Sequence, residues 1–386
     1  MASTPQFVGA RLREIREARG ISVSMLASHL NLSKQSLYAA EAGKYPPLPD
    51  TIRRLALTLE VPVTAFMIDT DTASNITMPY FRSRKRTLKS AYHRATQRIR
   101  FFSRVVHLLY EYFDLKPANL PNAIPLQQVS DLNDSSIATL AEELRHFWGL
   151  TLGPISNVIN LLEVNRIFVA RSTVGEADVD AFSTWDRDLK TGYVMLATDK
   201  QSPFRSRFDA AHELGHLILH REIPNEWREK TAHMDLLERQ ANSFAAAFLL
   251  PAQSFLQTFD PRSNLDQLCS LKAHWRVSVA AILYRANTLN LISNLKYVRL
   301  YKNLSARGWK KQEPFDDSFK AEEPHLISKC FTSLFDKEMF TEEELELRVG
   351  LFSKTVESIC GLDPGFFRSS GVQAPVISIQ TGLAQA

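Results

Sequence analysis

Two histidines four residues apart, His212 and His216, with Glu213 between them, constrain this chain more than any other feature. On a helix of 3.6 residues per turn the two imidazoles fall on one face. The flanking sequence supplies that helix. Ser202-Pro203 opens it with proline at the first helical position, and it is predicted to run to about His220. A second helix follows and is stopped by Pro251 after Leu250. Upstream, residues 166–171 and 193–198 read as buried strands, so from about residue 136 the chain is α+β.

Two imidazoles on one helical face can hold a zinc ion, and the glutamate between them can work on a metal-bound water. The expected roles are His212 and His216 as metal ligands, with Glu213 as the base that takes the proton and returns it to a leaving amine. A catalytic zinc needs a third protein ligand. Glu238, on the next helix, is the first candidate. His220 is its rival, although it lies about 80° round the helix from His212. His233, Asp235, Glu226 and Glu229 are weaker candidates, and Tyr193 or His233 could steady an oxyanion.

At 386 residues the chain is too long for one ordinary core. The expected division is 1–70, a helical DNA-binding domain; 71–135, a basic linker and long amphipathic helix; 136–290, the domain with the histidine pair; and 291–386, a C-terminal domain of unknown role. Net charge is only +4, so overall charge does not call for nucleic acid. Cys269, Cys330 and Cys360 are odd in number and far apart, which argues against a disulfide framework or a thiolate metal site. With no apolar run of membrane-spanning length and no charged start leading into an apolar stretch, a cytoplasmic location is expected.

Residues 7–67 read as a bundle of short helices. Ser22 and Ser33 are placed to cap two of them, separated by Asn31-Leu32-Ser33. Residues 22–41 fit a helix-turn-helix. Its second helix would present Lys34, Gln35, Ser36 and Tyr38 to the major groove of a DNA operator, with Lys44 near phosphate.

Beyond this bundle, Leu88, Tyr92, Ala95, Ile99, Phe102, Val106, Leu109 and Phe113 form a heptad stripe ending at Pro117. It reads as intramolecular core more readily than as a dimer seam, though paired DNA half-sites make a homodimer reasonable. Arg82, Arg84, Lys85, Arg86, Lys89, Arg94, Arg98, Arg100 and Arg104 crowd the same interval. They could follow a phosphate backbone, or pack on the protein's own acidic surface.

The stretches Arg205-Ser-Arg-Phe-Asp-Ala-Ala-His-Glu-Leu-Gly-His-Leu-Ile-Leu-His and Glu238-Arg-Gln-Ala-Asn-Ser-Phe-Ala-Ala-Ala-Phe-Leu-Leu-Pro resemble the ImmA/IrrE metallopeptidase family. So do Gly153-Pro-Ile-Ser-Asn and Asp180-Ala-Phe-Ser upstream, and Trp275-Arg-Val-Ser-Val and Tyr284-Arg downstream. The resemblance spans about 140–290. It implies a zincin-like fold with His212, His216 and Glu238 as zinc ligands and Glu213 as base, and a narrow substrate range: helix-turn-helix repressors cleaved after a stress signal. Residues 7–67 resemble the XRE (Cro/C1-type) domain, with Glu41-Ala-Gly-Lys as the exit from the recognition helix. Val23 stands where that family often has a phosphate-contacting glutamine.

The expected fold is therefore multidomain and mainly α. An N-terminal five-helix Cro/C1-type bundle, a long linking helix, an α+β zincin-like domain and a C-terminal domain follow in order. Three functions fit. One is a DNA-binding regulator that is also a zinc endopeptidase acting on a repressor or antitoxin, or on itself. Another is a transcription factor whose zinc domain is a sensor or scaffold. A third is a peptidase whose helical N-terminus recognises protein.

Overall fold

A computed structural model describes residues 6–68, 75–81, 89–172, 181–198, 202–228 and 230–369. Helices Gly9–Ala18, Val23–Leu30, Lys34–Glu41 and Pro49–Leu59, with a 3-10 turn Val63–Met67, form the N-terminal bundle around Leu12, Leu26, Leu37 and Leu55. Its turn chemistry is local. The Ser22 and Ser33 hydroxyls accept from the N–H groups of Met25 and Ser36, and Asn31 ends the second helix at φ 53°.

The linking helix spans Lys89–Tyr112. Ala95, Ile99, Phe102, Val106 and Leu109 are buried, as the heptad stripe requires, but so are Phe101, Val105 and Leu108. A helix apolar on this much of its circumference is a core element, so the stripe is covered from within the chain. Helix Gly9–Ala18 packs on it, as do Glu342–Val349 and Ser353–Cys360 from the C-terminal part. The helix stops at Tyr112, short of Pro117, and Leu88 lies outside the described residues.

Strands β1 (Tyr80–Phe81), β2 (Phe168–Ser172), β3 (Ala181–Asp186) and β4 (Thr191–Ala197) form one sheet in the order β1-β3-β4-β2. β2 is parallel to β4, while β3 is antiparallel to both β4 and β1. Alternation along the strands divides the side chains between two cores. Phe168, Ala170, Tyr193 and Met195 join the linking helix, whereas Val169, Val194 and Leu196 join the helix carrying the histidine pair. β2 and β4 are close to the predicted strands. β1 and β3 went unrecognised because β3 buries Ser183, Thr184 and Asp186, which interrupt any apolar run.

Residues beyond 291 divide between the same two cores. Helix Asn294–Ala306 contributes Leu300 and Leu304 to the core of the histidine helix. Helices Leu326–Asp336 and Ser353–Cys360 contribute Phe331, Leu334, Val356 and Ile359 to the core of the N-terminal bundle and linking helix. Between them, Glu322 accepts from the N–H groups of Val158 and Ile159 and pairs with Arg207 on the histidine helix. Among the described residues no helix is long and apolar enough to cross a membrane.

Candidate functional site

His212, Glu213 and His216 lie on helix Pro203–Leu219, which packs between the sheet and helix Thr231–Leu249. Gly215 sets how closely the two helices meet. A Cβ there would stand 3.2 Å from both Cα and O of Ala241, tighter than ordinary van der Waals contact.

The helix contact brings three side chains to one point. His212 Nε2 and His216 Nε2 are 3.1 Å apart, and the Glu238 carboxylate oxygens lie 3.5 Å from the first and 3.3 Å from the second. Ligand atoms held about 2.05 Å from a tetrahedral ion would lie about 3.3 Å from one another.

Hydrogen bonds behind the imidazoles fix their tautomers. Asn242 Nδ2 donates to Glu238 O at 2.8 Å, so its Oδ1 accepts from His212 Nδ1 at 3.2 Å. Gln240 Nε2 donates to Val129 O at 2.7 Å, so its Oε1 accepts from His220 Nε2 at 3.0 Å. That leaves His220 Nδ1 to accept from His216 Nδ1 at 3.0 Å. Both Nε2 atoms therefore carry lone pairs, and they face a carboxylate whose Oε1 is buried with no hydrogen-bond partner. Three acceptors converging with no donor among them fit a bound cation.

The titration behaviour is consistent with this. Burial holds His216 down at about 4, and therefore neutral. A neutral imidazole is the form that ligates metal.

Ser183 on β3 donates to Glu213 Oε2 at 2.5 Å, which ties the Glu213 carboxylate to the sheet. Tyr80 on β1 stacks on His216 with ring centroids 4.4 Å apart and donates to His220 O at 2.5 Å. β1 thus runs beside the site, with Tyr80 opposite Ser183. His212, Glu213 and His216 are buried, and the Glu238 side chain, 18% exposed, is the most open of the four.

Of the weaker candidates, His220 stands behind His216 rather than in the cluster. Asp235 and Glu226 are exposed and outside it, and Glu229 lies outside the described residues. His233 stacks on Trp227 and donates from Nδ1 to the Trp227 carbonyl at 2.7 Å. Tyr193 cannot steady an oxyanion here. Its hydroxyl donates to Asp186 Oδ2 at 2.6 Å on the other face of the sheet, where strand alternation sends it. Asn242 and Gln240 went unread although both stand within four residues of Glu238. Ser183 and Tyr80 had no periodic signal at all.

In the N-terminal bundle, Lys34, Gln35, Ser36, Tyr38 and Lys44 are all exposed, with Tyr38 at 58%. Ser36 hydrogen-bonds the capping Ser33, and Val23 is buried in the bundle core. The basic residues of the linking helix turn inward instead. Arg104 is buried and donates to Glu14 at 2.8 Å, Arg100 is 3.6 Å from Glu14, and Arg98 donates to Ser172 Oγ at 2.6 Å. These arginines pack on the protein's own surface. Arg82, Arg84, Lys85, Arg86 and the Lys89 side chain, like Asp180, lie outside the described residues.

Comparison with known families agrees with this arrangement. Residues 8–65 match the helix-turn-helix domain family, and residues 162–287 match the peptidase family described as the IrrE N-terminal-like domain. No curated protein matches the chain.

Proposed function

We propose that this chain, which joins a helix-turn-helix domain to an IrrE-like, metallopeptidase-like domain, is a DNA-binding regulator with zinc endopeptidase activity. Its substrate is a helix-turn-helix repressor or an antitoxin, the chain itself included, cleaved in a response to stress, phage or a mobile element. The observation that carries the reading is the cluster of His212 Nε2, His216 Nε2 and the Glu238 carboxylate, all acceptors, with both imidazole tautomers fixed from behind.

In this reading His212, His216 and Glu238 would hold the zinc, which when bound would supply Lewis acidity and acidify a water. Glu213, steadied by the Ser183 hydroxyl at 2.5 Å, takes the proton from the attacking water and delivers it to the leaving amine. Lys34, Gln35, Ser36 and Tyr38 read the operator, and Lys44 meets phosphate. Burial of the heptad stripe removes that face as a dimer seam, so a homodimer on paired half-sites would use another surface.

A second reading, a transcription factor whose zinc domain is a sensor or scaffold, draws support from how closed the site is: His212, Glu213 and His216 are all buried. Mapping new protein N-termini in cells with the native chain and with Glu213→Ala, with and without DNA damage, separates the two. Termini that depend on Glu213 support the peptidase. Identical termini from protein that holds zinc favour the sensor.

A further inference from the structure

We propose that the cavity walled by Tyr284, Tyr297 and Tyr301 is a subsite of the metal centre that takes an aromatic side chain of the bound peptide. The inference rests on the peptidase reading for its purpose, but not for its geometry.

The face of the histidine helix that carries His212 and His216 continues towards the N-terminus through Asp209 and Arg205, three and seven residues earlier. The face of the partner helix that carries Glu238 continues through Asn242, one turn on. Asp209, Arg205 and Asn242 all line one cavity of about 430 Å³. Asn242, which lines the cavity, also accepts from His212 Nδ1 at 3.2 Å, so the cavity lies one side chain away from the cluster, and its size is ordinary for a small-ligand site.

Its far wall is aromatic. Tyr284, Tyr297 and Tyr301 are half-buried, and the rings of Tyr297 and Tyr301 lie 6.0 Å apart at 38°. Ala280 and Ala281 also line it, and their small side chains leave room. The backbone at Trp309 and Lys310 is pinned by Arg205, which donates to both carbonyls.

Charge decides against a cationic guest. Lys310 Nζ sits 5.2 Å from the Tyr301 ring centroid, and Arg205 adds a second positive charge. The one carboxylate that lines it, Asp209, is itself buried. What the walls offer is ring contact and apolar surface, which suits phenylalanine, tyrosine or tryptophan. Tyr297, Tyr301 and Lys310 lie beyond residue 287, where the family match ends. The specificity element is one to which the segment after the matched domain contributes.

The test is binding rather than turnover. N-acetyl-phenylalaninamide is titrated into the full-length chain and into its Glu213→Ala variant, followed by ligand-observed NMR. N-acetyl-alaninamide, N-acetyl-argininamide and N-acetyl-glutamate amide serve as comparisons. The phenylalanine probe is expected to bind both proteins at least about tenfold more tightly than the alanine probe. A Tyr297→Ala/Tyr301→Ala double variant should lose that preference, and the Tyr297→Phe/Tyr301→Phe pair, which keeps the rings, should retain it. The subsite is overturned if the arginine or glutamate probe binds best, if alanine binds as well as phenylalanine, or if the alanine pair keeps the preference. Loss in both pairs overturns it as well. Because Glu213→Ala should bind as the native chain does, an inactive peptidase would leave this result untouched. Cleavage without aromatic binding would sink the subsite alone.

Discussion

His216 Nδ1 lies 3.0 Å from Nδ1 of His220, one helical turn further on. The hydrogen bond runs from His216 to His220, because His220 spends its own N–H on Gln240 Oε1 at 3.0 Å. A residue that sequence periodicity offered as a rival ligand thus serves to aim His216. His220→Ala should lower zinc affinity about 10- to 100-fold, measured by competition with a chelator of known affinity. Native affinity in that variant would show that the relay does not orient His216.

Gly215 governs the approach of the helix that carries the histidine pair to the helix that carries Glu238. In Gly215→Ala the new methyl meets Ala241 backbone and Phe244 Cδ1 at 3.2 Å, so the helices must part by a few tenths of an ångström. A stability loss of about 1–3 kcal/mol in urea unfolding is expected, with weaker metal binding because Glu238 moves away with its helix. A variant as stable and as well loaded as the native chain would mean that the contact relaxes freely.

Asp186 joins the linking helix to the sheet. It accepts from His107 Nε2 and from Tyr193 OH, each at 2.6 Å. Burial alone would raise its carboxyl, but these hydrogen bonds and one from the Leu189 N–H hold it below the usual value. A carboxyl whose folded value is depressed contributes stability above its unfolded value, about 3.9, and loses that contribution as pH falls through the folded one. The native chain should therefore lose stability on acidification below about pH 4. Asp186→Asn should be less stable at neutral pH by about 1.5–3 kcal/mol and show a shallower decline in that acid range. Equal slopes would assign the acid sensitivity to other groups.

In the proposed reading, Gln35 on the exposed helix Lys34–Glu41 would meet a base edge and Lys44, beyond the end of that helix, would meet phosphate. Gln35→Ala should cost about 1–3 kcal/mol at a single base position of the operator, seen as relaxed preference there. Lys44→Ala should weaken binding to all sequences alike and reduce the slope of log K against log salt by about one. If both variants bind the operator as the native chain does, the N-terminal bundle reads something other than DNA through this face.

What the sequence determined by itself was local. The helix through His212 and His216 was legible because its proline start, its histidine spacing and the Pro251 stop that ends the next helix all act over a few residues. The serine caps and the Asn31 turn of the N-terminal bundle were legible for the same reason. Periodicity also marked the apolar face of the linking helix, but not what covers it. Only the tertiary structure put the C-terminal helices there and turned Arg104 and Arg100 inward to Glu14. Likewise it alone set Ser183 against Glu213, across 30 residues, and Gln240 against His220, across 20. A pattern of apolar residues records that a face must leave water. Which distant segment meets that face, and which polar groups are thereby brought within 3 Å, depends on packing that no local window contains.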